Sequence, residues 1–277
     1  MSIPDNIMIK AYQLLKSEAY HETYNQYLKK RIAEYEYRIG VSNLVQELSS
    51  YEWYTDSEWR FIRDLFSEIE CKIVPKKYYT KATENNVPCF ISNESDYPGY
   101  ILDEVNFLID CPLEIHLADI LWTILVGPLL DAKLTDSCYA NRIDDGVKGF
   151  ESLVTAKKLF KFYPIQYSQW RDHAFSAIDS VVKRDNASIV SLDIQKCYYT
   201  IRIDWDYVTD LIAESYREDK NVMDTLIGLT DCIKNLYEVY WQKVNEIYAL
   251  QTDAMYNGKP ALPIGLSSSK LLCNFHL

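Results

Sequence analysis

The sequence predicts an α+β fold, with a helical N-terminal part and a buried strand in its second half. Two observations lead there. Apolar residues recur at helical spacing in several stretches, and the period then changes sharply at residues 188–194, SIVSLDI, behind the turn signal Asp185-Asn186. With 277 residues, 48% of them hydrophobic, the chain can bury a sizeable core in one large domain or two smaller ones.

Residues 6–38 read as helical and rich in tyrosine, with Lys29, Lys30 and Arg31 on a solvated face. Thr55 to Glu58 matches a capping box, and Trp59, Ile62, Leu65, Phe66 and Ile69 follow at the spacing of a helix packed on a core. Periodicity is lost over 73–100, where Pro75, Asn85, Asn86, Pro88, Pro98 and Gly99 predict a looped connection with a short strand at 88–92. A soft boundary falls near residue 110. Dense apolar residues over 115–126 predict a buried helix ended by Gly127-Pro128, and a further helix is expected over 166–182, with Trp170, Ala174, Phe175 and Ile178 on one side. The strand over 188–194 carries one carboxylate, Asp193, near its end. Helices over 205–216 and 221–250 follow, then a loop over 252–266 with Gly258, Pro260, Pro263 and Gly265, and a serine-capped helix start at Ser267.

Seven cysteines form no Cys-x-x-Cys pair and none stands at zinc-finger spacing from a histidine, so reduced thiols in a cytoplasmic protein are expected. The N-terminal residues lack a basic segment followed by an apolar one, and the longest apolar stretch, 120–130, is interrupted by Thr123, Gly127 and Pro128. The expectation is a soluble chain with no membrane span. A formal charge of −11 argues against non-specific coating of nucleic acid, because phosphate contact needs lysine and arginine. The imbalance is concentrated early: residues 1–140 hold 13 Lys+Arg against 22 Asp+Glu, whereas residues 141–277 hold 16 against 18. A nucleic-acid groove is therefore expected in the second half, as a local positive patch.

A strand-end aspartate followed by aromatic residues and a turn suits a two-metal nucleotidyl transferase, which needs a rigid carboxylate bridging two divalent cations. Alone, the same feature is as readily a helix cap or a backbone anchor. Asp144-Asp145 precedes the strand and reads as a surface loop. His116, His173 and His276 read as helix residues. Arg142 and Arg171 suit phosphate through their guanidinium forks, with structural ion pairing as the alternative for each.

Two strings give the reading a direction. SLDIQKCYYTI (191–201) resembles the first palm motif of reverse transcriptases, a metal-binding aspartate followed five residues later by an aromatic. ALPIGLSSSKLLCNFHL (261–277) resembles the next palm motif, a Leu-Pro-x-Gly turn feeding a helix that ends in an Asn-aromatic-x-Leu pattern. Upstream, YANRI (139–143) and LFKFYPIQYSQWRD (159–172) look like segments of bacterial defence-associated, abortive-infection-like members of that family. The resemblance covers roughly residues 111–277, and the 69 positions from Asp193 to Leu262 exceed the retroviral spacing through the helix over 221–250.

By this resemblance, Asp193 is the catalytic carboxylate and a ligand of both Mg2+ ions, with the Ile194 carbonyl on one of them. The backbone around Lys196 and Cys197 faces the incoming triphosphate. Tyr198 is a steric gate against a sugar 2′-hydroxyl, its plain alternative being a core tyrosine in a chain with 23. Gly265 lines the nucleotide pocket because glycine lets backbone approach a base pair closely, and Ile264 stands where retroviral enzymes carry glutamine. Arg142 and Arg171 join the nucleotide-binding set.

The implied architecture is a right hand: a helical N-terminal extension (1–110), a fingers-like region (111–185) and an incomplete palm (186–277). Its aromatic-x-Asp-Asp hairpin and its thumb are expected beyond Leu277, so residues 1–277 alone are not expected to polymerise. The implied function is RNA-directed DNA synthesis in anti-phage defence, with deoxynucleoside triphosphates, an RNA template or non-coding RNA and a DNA product as partners. Some relatives form homo-oligomers, and the resemblance extends to that partner too. Alternatives are a non-catalytic reverse-transcriptase-like subunit that binds RNA or supports assembly, a template-independent, protein-primed DNA polymerase, and a maturase-type splicing cofactor.

Overall fold

The computed structural model describes residues 6–22, 25–50, 56–80, 100–149, 156–182, 188, 190, 192–194, 197–252 and 262–276. These form an α+β fold, mostly helical, with one two-stranded antiparallel sheet. Helices α1 (Ile7–His21), α2 (Gln26–Ile39), α3 (Leu44–Ser50) and α4 (Asp56–Asp64) precede strands β1 (Glu70–Thr80) and β2 (Tyr100–Asp110). The second half contributes α5 (Leu113–Leu125), α6 (Gly127–Asp131), α7 (Tyr163–Val182), α8 (Cys197–Thr200), α9 (Trp205–Ser215), α10 (Lys220–Thr252) and α11 (Ser267–Phe275).

Helix α5 is the axis of the core. Its residues are apolar almost all round, the pattern of a helix enclosed on every side, and all 13 are buried. Helices α1, α2, α4, α10 and α11 pack on it, and α10 also meets α4, α9 and β1. Pro128 at the first turn of α6 interrupts the helical run where Gly127 approaches Ile143 and Leu271, as the Gly127-Pro128 signal predicts.

Burial of α5 encloses polar groups, and each of the following has a partner. The Trp122 indole donates to Thr230 Oγ1 at 3.0 Å, Arg38 pairs with Glu114 at 2.5 Å, and Thr123 Oγ1 donates to the Asp119 carbonyl at 2.8 Å. Burial lowers the His116 pKa to about 4, so its ring is neutral at physiological pH.

As their spacing predicts, Trp59, Ile62, Phe66 and Ile69 are buried. Asn25 caps α2 by accepting from the Leu28 amide, and Asp204 caps α9 through the Tyr207 amide. Thr55 and the short strand expected at 88–92 lie outside the described residues.

Two expectations are corrected. Residues 73–80 and 100 are strand rather than loop: β1 and β2 pair antiparallel from Glu70↔Asp110 to Thr80↔Tyr100. The register shifts between Pro75 and Lys77, because proline has no amide hydrogen for the ladder. Residues 107–110 at the base of this hairpin are buried, whereas Ile73 and Val74 are exposed, so this part of β1 shows no buried apolar alternation.

The strand expected at 188–194 is not formed by its described residues, which have no regular structure. Val190 is 76% and Leu192 89% exposed. A strand needs a neighbour to satisfy its amides and carbonyls, and among the described residues the sheet contains β1 and β2 alone.

Helix α7 forms as expected but buries none of its residues: Trp170 is 50% and Phe175 63% exposed. Tyr163, Tyr167 and Trp170 instead line up on one another, with ring centroids 6.0 and 5.5 Å apart.

Candidate functional site

The two strings that resemble palm motifs meet in space. The Leu262 amide donates to the Tyr198 carbonyl at 2.8 Å, and Cys197 Sγ lies 3.1 Å from Cys273 Sγ on α11. The Ile109 amide donates to the Ile264 carbonyl at 2.9 Å, and Ile264 bridges Leu108 in parallel fashion. The Leu-Pro-x-Gly turn thus lies along the buried end of β2, beside α8.

Tyrosines sew this junction together. The Phe107 amide donates to the Tyr199 hydroxyl at 3.0 Å, and the Tyr240 hydroxyl donates to the Phe107 carbonyl at 2.7 Å. Both backbone groups of one β2 residue are therefore satisfied by side chains from α8 and α10.

Gly265 has φ +114°, a conformation that side chains rarely tolerate. A Cβ there would stand 3.2 Å from Leu108 Cδ1 and 3.3 Å from both Asn25 Nδ2 and Ile109 Cγ2. The glycine is thus required by the turn and by its close approach to β2. Asn25 Nδ2 is buried without a hydrogen-bond partner in this packing.

Asp119 holds the start of α11. Its carboxylate accepts from the Ser267 amide at 2.7 Å, the Ser268 amide at 3.2 Å and the Ser268 hydroxyl. The cap expected from serine is therefore supplied by an aspartate of α5, with Leu266 at the N-cap position. Burial raises the Asp119 pKa to about 6 against the lowering effect of these donors. The Tyr237 hydroxyl hydrogen-bonds to Ser268 Oγ at 2.8 Å and Ser269 Oγ at 2.9 Å, and burial raises its pKa well above the usual phenol value.

The other expected site residues are distributed differently. Asp193 and Ile194 are exposed and without regular structure, so Asp193 does not stand at a strand end. Cys197 and Tyr198 are half-buried against the core, and Lys196 lies outside the described residues.

Arg142 brackets its own loop: its guanidinium bonds both Asp131 carboxylate oxygens, at 2.9 and 3.1 Å, and the carbonyls of Thr135 and Cys138. Arg171 pairs with the adjacent Asp172 on exposed α7. Neither arginine hydrogen-bonds to the described residues of 193–198 or 262–266. The string at 139–143 does reach α11, where the Asn274 amide donates to the Ala140 carbonyl at 2.5 Å. Asp144 accepts from the Gly146 amide and exposed Asp145 pairs with Lys161, in keeping with a surface loop.

A two-metal centre needs several converging donors, and no group of three or more His, Cys, Asp or Glu side chains capable of holding a metal ion occurs among the described residues. Asp193 supplies one of the donors that such a centre needs.

Asp119, Tyr199, Tyr237 and Tyr240 are the residues that sequence reasoning overlooked. The available signal was a carboxylate inside an otherwise apolar helix, which must be partnered when buried. No helix among the described residues is long and apolar enough to cross a membrane. Comparison with models of known protein families, with characterised proteins and with solved structures finds no match.

Proposed function

We propose that this chain carries the first two palm motifs of a reverse transcriptase of the bacterial defence type, which adds deoxynucleotides to a 3′-hydroxyl in a magnesium-dependent reaction. The observation that supports it is the contact between segments 197–200 and 262–273, which the resemblance requires and which local sequence does not dictate. In this reading Asp193 is the catalytic carboxylate, Tyr198 screens the sugar and Gly265 admits the base pair. Ile194, Lys196, Cys197 and Ile264 border the nucleotide, and the right-hand architecture follows from these roles. Deoxynucleoside triphosphates and an RNA template or non-coding RNA are its partners, in the cytoplasm, against phage.

The test is deoxynucleotide incorporation and phage protection by the complete gene product and its Asp193→Asn variant. Loss of both with unchanged thermal stability is expected, since Asp193 is exposed. Protection retained by Asp193→Asn refutes the catalytic reading.

A second reading, a non-catalytic subunit that binds RNA or supports assembly, is favoured by the acidic balance of the chain, −11, where a polymerase groove calls for positive charge. It expects protection to survive Asp193→Asn.

A further inference from the structure

We infer that Cys197 and Cys273 form a site of reversible oxidation, closing under a hydroperoxide into a disulfide that staples the segment after Asp193 to α11. Their sulfurs are 3.1 Å apart although the residues are separated by 76 positions. A disulfide needs about 2.05 Å, a closure of roughly 1 Å that side-chain rotation can supply. The contact is backed by the backbone: the Tyr198 carbonyl is tied to the Leu262 amide, and α11 is fixed on α5 through Asp119.

The two thiols are unlike. Cys197 is half-exposed at the start of α8, within reach of a small oxidant. Cys273 is buried, and burial together with the hydrogen bond to Cys197 pushes its thiol up to about 12. Cys197 is therefore oxidised first and Cys273 resolves. The Cys197 sulfur attacks one peroxide oxygen, an S–O bond forms, the O–O bond breaks and water leaves, which gives a sulfenic acid. The Cys273 sulfur then attacks the Cys197 sulfur; the S–S bond forms, the S–O bond breaks, and the Cys273 proton departs with the hydroxyl as a second water. Two thiols lose two electrons and one hydroperoxide is reduced.

Among the other described cysteines, Cys111 and Cys232 are buried, burial holds the Cys71 thiol up at about 12, and half-buried Cys138 has no second sulfur in contact to resolve it. The site does not depend on whether the chain synthesises DNA.

The experiment treats the full chain with hydrogen peroxide, blocks free thiols, digests with trypsin without reductant and identifies linked peptides by mass spectrometry. Cleavage after Lys196 and Lys270 places the two cysteines on separate short peptides. The expected result is one dominant linked pair containing Cys197 and Cys273, a raised thermal midpoint, and reversal of both by dithiothreitol. Cys197→Ser and, separately, Cys273→Ala should each abolish the link and the shift. The half-exposed position of Cys197 keeps the first variant informative if the second fails to fold. Sulfinic acid accumulating on Cys197 without a link, or a dominant link between other cysteines, overturns the proposal.

Discussion

Asp119 makes acid-side stability the sharpest test of the packing around α11. Burial raises its pKa from 3.8 to about 6, and the donors from Ser267 and Ser268 only partly oppose that effect. Below the unfolded-state value both states hold the proton and the term vanishes. Between that value and about 6 the unfolded chain ionises first, so the folded state loses stability as pH rises, and above about 6 the loss is complete. A difference of about two pKa units corresponds to about 3 kcal/mol. Asp119→Asn keeps one oxygen acceptor but has no proton to release in this range. The difference in unfolding free energy between wild type and Asp119→Asn should therefore change by about 3 kcal/mol between about pH 3.5 and about pH 6.5, with wild type relatively stronger in acid. Urea unfolding followed by far-ultraviolet circular dichroism measures it, because the other carboxylates cancel in the comparison. Parallel pH profiles for the two proteins would refute the reasoning and mean that the donors fully offset burial.

Three further outcomes follow from the same packing. Gly265→Ala should destabilise by about 2–3 kcal/mol, from its positive φ and three contacts at the edge of overlap, read as a lowered urea midpoint. Tyr240→Phe should cost about 1–3 kcal/mol, because the buried Phe107 carbonyl loses its donor, and hydrogen exchange at the Phe107 amide should rise with it. Arg142→Lys should speed tryptic cleavage near residue 133, since a point charge cannot span Asp131 and two carbonyls at once; unchanged cleavage would show that the loop is held otherwise.

Helices were legible where apolar spacing was clear: α5, α9 and α10 lie close to their expected ranges, whereas the single stretch expected over 6–38 divides into α1 and α2, and α4 ends at Asp64, short of Ile69. The β1–β2 hairpin was not, since Ile73 and Val74 are exposed and Pro75 sits in its ladder. At 188–194 composition pointed to a strand, but composition cannot supply the pairing partner that a strand requires. For the candidate site, the two strings identified segments that do meet, whereas the groups that hold them there were invisible to local pattern. Asp119 and Ser267 are 148 positions apart, and nothing near either predicts the other. Arg142 shows the reverse limit, since a guanidinium that suits phosphate suits carboxylate and carbonyls equally well.

The Asp119 cap also dictates an order of events. A helix of nine residues cannot persist alone in water, so α11 forms only when α5 is already in place to receive it. During synthesis α5 emerges long before residues 267–268, and its carboxylate stays uncovered for as long as the intervening chain takes to appear. Lys270 adds a second closure of the same kind, pairing with Glu18 and with Glu22, which stands 248 positions earlier. The segment bearing Ile264 and Gly265 is thereby set only after α5 is in place, and a nascent chain halted before it holds an aspartate in its core with nothing to cap.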